Sequence, residues 1–237
     1  MSVVNIVTDQ DVRTTSTVRT GEWLGARAVT RDGREYQYVK HGASLAAGHL
    51  TVAEADADLH VNLAVAAAAI GATSVTVTLG ATLATADQYA EGYLNVRDGT
   101  GEGHYYRIRG HPAAASAATV VVNLYEPIEV ALVASATSEV DLAKHPAKDC
   151  AESTTLAKAV GVSNIVHASG DFSWVQTRGY CSVVSDGTPS KNQRVIQSNG
   201  TAGSVEVQVE TDIIETVGVV LETLVNAEEK AVYLCIA

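Results

Sequence analysis

Seven histidines, His41, His49, His60, His104, His111, His145 and His167, are the side chains here best suited to proton transfer or metal binding. No two stand four residues apart on a plausible helix, and the chain has no His-Glu-x-x-His. They read as surface or loop histidines. Gly99-Thr-Gly-Glu-Gly103 is the one glycine-rich stretch that invites a phosphate reading. A phosphate loop needs a Lys-Ser/Thr pair opening a helix, whereas His104-Tyr105-Tyr106 here opens a strand and Glu102 repels phosphate. Acyl transfer needs an exposed serine with a base and an orienting group, and no Gly-x-Ser-x-Gly elbow is present. A glycosidase needs only two carboxylates, but such sites usually expose aromatic platforms. The two tryptophans both lie in patterns that suit packing. The sequence therefore points to no enzyme, and no cofactor or metal is expected.

Composition restricts partners further. A formal charge of −11 with no Lys/Arg cluster repels nucleic-acid backbones and keeps an abundant protein soluble. Cys150, Cys181 and Cys235 follow neither a metal-binding nor a disulfide spacing and read as buried free thiols. The start of the chain shows no basic region followed by an apolar stretch, and its longest apolar run, Leu63 to Gly71, is too short to span a bilayer. A reducing cytoplasm is the expected place of synthesis.

The elements that must position any site are strands. Val75–Leu79, Val205–Glu210, Tyr36–Lys40, Tyr93–Arg97 and Tyr106–Arg109 alternate apolar with polar residues, and Val120–Leu124 is continuously apolar. Asp32-Gly33, Asp98-Gly99, Asp186-Gly187 and Asn199-Gly200 supply residues that tolerate positive φ at turns. Ala64–Ala69 is too short to stand as a helix. Thr85-Ala86-Asp87-Gln88 offers a capping box for a turn or two. The expected fold is all-β, in sandwich- or barrel-like modules with few short helical turns. We place an extended arm over 1–20, an N-terminal β domain over 21–145, a linker over 146–160 and a small C-terminal β-barrel over 161–237.

In Phe172-Ser-Trp-Val-Gln-Thr-Arg-Gly179, alternation puts Trp174 on one strand face with Phe172, Gln176 and Arg178. Trp174 reads first as an anchor for the C-terminal core. The functional alternative is a subunit contact made by Trp174, Gln176 and Arg178, since Trp and Arg are enriched in such places. Val3, Val4 and Ile6 on the arm are further candidate contact residues.

The run Gly92–Gly103, with Tyr106-Arg107-Ile108, His111-Pro-Ala-Ala114, Leu124–Ile128 and Val130-Ala-Leu132, resembles a family of uncharacterised marine and environmental tailed-phage proteins. Tyr36–Lys40 with Gly42-Ala43-Ser44, and Trp174–Gly179, extend the likeness, so that it covers most of the chain from about 21 to 237. Members are usually encoded among virion structural genes. The resemblance implies a decoration (cement) protein on the outer capsid surface, made in the bacterial host, with the major capsid protein and further copies of itself as partners. A trimer is the favoured oligomer, and neither nucleic acid nor membrane is expected as a partner. Other virion parts, such as a head fibre, tail tube or baseplate component, are the nearest alternatives. The major capsid protein itself lacks support because no long spine helix is patterned, and a polysaccharide-acting enzyme is the remote alternative.

Overall fold

The computed structural model describes residues 5–54, 60–134, 138–211 and 213–236. The candidate contact residues Val3 and Val4 fall outside them. The chain begins with β1 (Asn5–Ile6), a 3-10 turn (Asp11–Arg13), β2 (Arg27–Val29), β3 (Glu35–Lys40) and β4 (Leu50–Val52). Next come β5 (Leu63–Ala64), β6 (Ser74–Thr78), β7 (Tyr93–Asp98), β8 (Tyr105–Gly110), β9 (Thr119–Leu124) and β10 (Glu139–Ala143). β11 (Ala159–Val162), β12 (Phe172–Val184), β13 (Arg194–Gln197), β14 (Val205–Val207), β15 (Gly218–Val220) and β16 (Glu229–Cys235) complete it. The all-β expectation holds.

The chain divides into two compact units: Met1–Ala55 with Pro146–Ala237, and Asp56–His145. The continuous N-terminal domain expected over 21–145 is therefore split, because β2 and β3 pair with each other and β3 pairs with β12, far along the chain. Nor is 146–160 a linker. Lys40, Gly42 and Val52 exchange backbone hydrogen bonds with Ala147, Cys150 and Ala151, and Ala147 and Cys150 are core residues. A buried backbone must find partners for its N–H and C=O groups, and this segment finds them on the first strands.

In the first unit the sheet runs β1-β2-β3-β12-β16-β15-β13-β14, with β11 joining β12 to β4. Ser185, just past β12, bridges Val205 of β14, so β12 to β16 make a nearly closed ring. The small C-terminal barrel is thus present, but Leu50 and Val52 of β4 help to fill it. A second cluster, with Val12, Tyr36, Tyr38, Trp174 and Val175, lies along the first half of β12. Residues 5–20 are no free arm. Ser16 and Phe172 exchange both backbone hydrogen bonds, Val12 is in the core, and Arg34 ion-pairs with Asp9.

The second unit is a six-stranded ring, β5-β10-β7-β8-β9-β6, antiparallel throughout, which Val65 and Val77 draw shut. Alternation fills its interior: Val75 and Val77, Leu94 and Val96, Tyr106 and Ile108, Val120 and Val122, Val140 and Leu142 all point in. Each fully buried Val or Leu contributes roughly 1.5–3 kcal/mol. Valine and leucine supply most of that interior.

The turns expected after Thr85 are present, and one half of the capping box forms, with Gln88 accepting from the Thr85 N–H. Of the cysteines, Cys150 and Cys181 are buried and Cys235 is exposed, because Val232 and Leu234 take the inward positions of β16.

Candidate functional site

Strand β12 carries the sequence-derived contact residues, and a β-bulge separates them. Gln176 pairs with Tyr36 and Arg178 with Glu35, leaving Thr177 as the extra residue. An inserted residue reverses which side chains face which way. Arg178 therefore leaves the face of Trp174 and Gln176 and is exposed, 3.6 Å from Glu35. The single shared face read from the sequence is thereby corrected.

Trp174 is only 7% exposed, packs edge-on to Tyr38 at 5.1 Å, and lies beside the 7–22 segment. Gln176 is buried and fully engaged: it accepts from Asn164 and Tyr36 and donates to the carbonyls of Arg178 and Tyr180. Both act inside the chain's own fold. Ile6 is 78% exposed on edge strand β1.

Beyond the bulge, odd residues of β12 face inward and even ones outward. Tyr180 then stands out beside its register partner Tyr233 of β16, at 62% and 46% exposure. The two rings border a groove of about 410 Å³ whose other walls are Asp32, Gly33, Arg34 and Gly179. The groove is built locally: Gly33 takes φ +84° in the Thr30–Arg34 turn and Gly179 takes φ +93°, a conformation that suits glycine. Arg34 is fixed at its rim by Asp9 and Asp32 and lies over the Tyr36 ring. Burial pushes the Tyr36 hydroxyl up to about 12, so it stays protonated beside that guanidinium. The sequence held this signal in Gly179-Tyr-Cys-Ser-Val and Ala231-Val-Tyr-Leu-Cys, where a tyrosine sits at the outward position of an alternating strand.

Four of the seven histidines, read as surface residues, are buried: His41, His60, His111 and His167. In the first unit His41 and His167 stack at 4.2 Å, their planes 13° apart, and their Nε2 atoms lie 2.7 and 3.3 Å from Ser173 Oγ. Both Nδ1 atoms are enclosed and have no hydrogen-bond partner among the described residues. Desolvation, aided by the neighbouring ring, drives His41 down to about 3, and desolvation lowers His167 as well, although Asp171 pulls both the other way. Asp171 itself is held low by the Ala168 N–H. Serine, two histidines and an aspartate resemble a nucleophilic relay, but Ser173 is enclosed and its hydroxyl is shared between the rings, so no carbonyl substrate reaches it. Positions 41 and 173, 132 residues apart, left no sequence signal.

The second unit holds its histidines differently. His60 Nδ1 accepts from the Tyr89 hydroxyl and its Nε2 donates to the Thr82 carbonyl at 3.1 Å. His111 Nε2 accepts from the Tyr89 N–H at 3.1 Å, and its Nδ1 donates to the Pro112 carbonyl at 2.9 Å. Nearby, Glu91 takes hydrogen bonds from Arg107 (2.9 Å) and the Tyr125 hydroxyl (2.6 Å). Burial lowers His145 to about 4, with Arg107 adding to the effect.

Among the described residues no group of three or more His, Cys, Asp or Glu side chains is placed to hold a metal ion, and no helix is long and apolar enough to cross a membrane. No protein family, curated protein or solved structure matches the chain.

Proposed function

We propose that this chain is a structural component of a tailed-phage particle, a decoration protein that seats on the outer capsid surface and stabilises the head. Its partners in this reading are the major capsid protein and further copies of itself, with a trimer favoured. The outward Tyr180–Tyr233 pair carries the proposal. Tyrosine and arginine are enriched where proteins touch, and here two tyrosines share one face of a nearly closed sheet beside Arg34. A rigid ring presents that face without an ordering cost on contact. The acidic composition, which suits a soluble precursor and disfavours nucleic acid, fits the same role. Spending the most reactive-looking serine and histidines on internal hydrogen bonds fits a protein whose work is adhesion.

The test is occupancy on purified capsids. Wild-type protein should saturate symmetry-related sites in an icosahedral reconstruction, and Tyr180→Ser with Tyr233→Ser should weaken binding at least about tenfold, the loss expected of anchor residues. Equal occupancy by the double variant would remove this face from the contact, and density away from the shell would remove the decoration role.

A further inference from the structure

The His41–Ser173–His167 stack has no spare partner for an extra proton. Two neutral imidazoles carry two N–H groups. In the arrangement that uses the serine proton as well, one ring donates from Nε2 to Ser173 Oγ and the hydroxyl donates to Nε2 of the other. That leaves one lone pair and one N–H on the two enclosed Nδ1 atoms. A further proton has no good destination. On Nδ1 it makes a second enclosed donor without an acceptor, and on the accepting Nε2 it evicts the serine hydroxyl.

The two rings sit on opposite sides of one seam. Leu45 and His167 exchange both backbone hydrogen bonds at 3.0 Å, and the Gly48 N–H donates to the Ser163 carbonyl at 2.7 Å. The Ser169 hydroxyl donates to the Gly42 carbonyl at 2.9 Å, and the His41 N–H to the Asp171 carbonyl at 2.8 Å. We propose that His41 and His167 form an acid-released latch, which holds segment 163–171 against segment 41–48 and lets go when the pair takes up a proton.

The Asp171 carboxylate favours a charged ring but is occupied by the Ala168 N–H and Thr15. Across the third strand Cys150, opposite His41, is a buried thiol that desolvation keeps neutral. Lys40 and Asp149 beside it offset each other at 3.3 Å. Desolvation prevails, and both rings stay neutral while the seam is shut. The closed form therefore refuses a proton that the open form accepts near the ordinary histidine value. Closure is complete above about pH 6.5 and is progressively lost as pH falls toward the depressed values. At pH 5 one such histidine shifts the opening equilibrium by about 30-fold.

The experiment is amide exchange on the full-length protein at pH 7 and pH 5, read as protection factors for Leu45, Gly48 and His167. These should fall about 30-fold or more, while Val183 and Val232 in the barrel change little. A His41→Gln, His167→Gln variant should lose most of that pH dependence. Unchanged protection at the seam, or a parallel loss across the whole unit, would overturn the latch. If the variant does not fold, imidazole NMR on the wild type decides. Titration of either ring near pH 6.5 with protection intact refutes the proposal, and ring protonation that appears only together with loss of protection at the seam supports it.

Discussion

The two units each bury histidines against a hydroxyl, and they do it in opposite ways. In the second, His60 and His111 flank Tyr89 and every ring nitrogen has a partner: hydroxyl, carbonyl or N–H. In the first, His41 and His167 share one serine and leave two nitrogens with none among the described residues. Burial alone therefore says little about whether an imidazole stabilises a fold. What decides is whether both nitrogens have been supplied, since an enclosed polar atom without a partner costs more than a satisfied one contributes. Tyr89 can supply them because it reaches the ring interior from a turn in which Asp87 and Glu91 adopt positive φ, a strained conformation that His111 and Ile108 hold through hydrogen bonds.

Removing the tyrosine should break the second arrangement most severely. Tyr89→Ala empties a fully buried position and strands His60, for an expected loss of about 3–5 kcal/mol, read by denaturant unfolding followed through exchange of the β7–β9 amides. Next comes a paired test. His60→Leu removes the ring nitrogen that accepts from the Tyr89 hydroxyl and should cost about 1–3 kcal/mol. The combined His41→Leu, His167→Leu, Ser173→Ala variant removes groups whose hydrogen bonding was incomplete and should come within about 1 kcal/mol of wild type. Equal costs for the two would end the contrast.

Acid sharpens the same comparison. A histidine whose folded value lies below its unfolded one weakens folding as pH drops below about 6.5, by at most about 1.4 kcal/mol per pH unit. The first unit has two such rings, His41 and His167, and the second has His145, which is partly exposed and so acts less. Urea unfolding followed by the fluorescence of Trp23 and Trp174, both in the first unit, should give a lower stability at pH 5 than at pH 7. Equal stability at the two pH values would contradict it. The smallest effect belongs to Arg178→Ala, whose exposed pair with Glu35 should be worth under about 1 kcal/mol in thermal unfolding.

Much of this was readable in the residues. Alternation located β3, β6, β7 and β8, a continuous apolar run located β9, and Asp32-Gly33 marked its hairpin, because a half-buried strand and a tight turn are local phenomena. Pairing between distant strands is not. Nothing in Tyr36–Lys40 announces that it lies beside Phe172–Gln176, so the split first unit stayed hidden. The bulge at Thr177 was equally silent, and one extra residue sufficed to send Arg178 to the opposite face from Trp174. Strand β12 runs unbroken through Gly179 over 13 residues, farther than the alternation alone marks. The tyrosine face was legible in outline. The histidine stack was not, since its members are joined only by the fold.

The bridge between Val52 and Ala151 has a practical meaning for the intervening chain. Those two residues are hydrogen-bonded neighbours, so the strand leading toward the second unit and the strand returning from it are tied together within the first unit. A short link between such paired strands has little entropic cost. The six-stranded ring is in this sense a cassette, exchangeable for another insert or for a plain turn so long as the stretch from Pro146 to Ala151 stays, because Lys40 and Gly42 bond to Ala147 and Cys150.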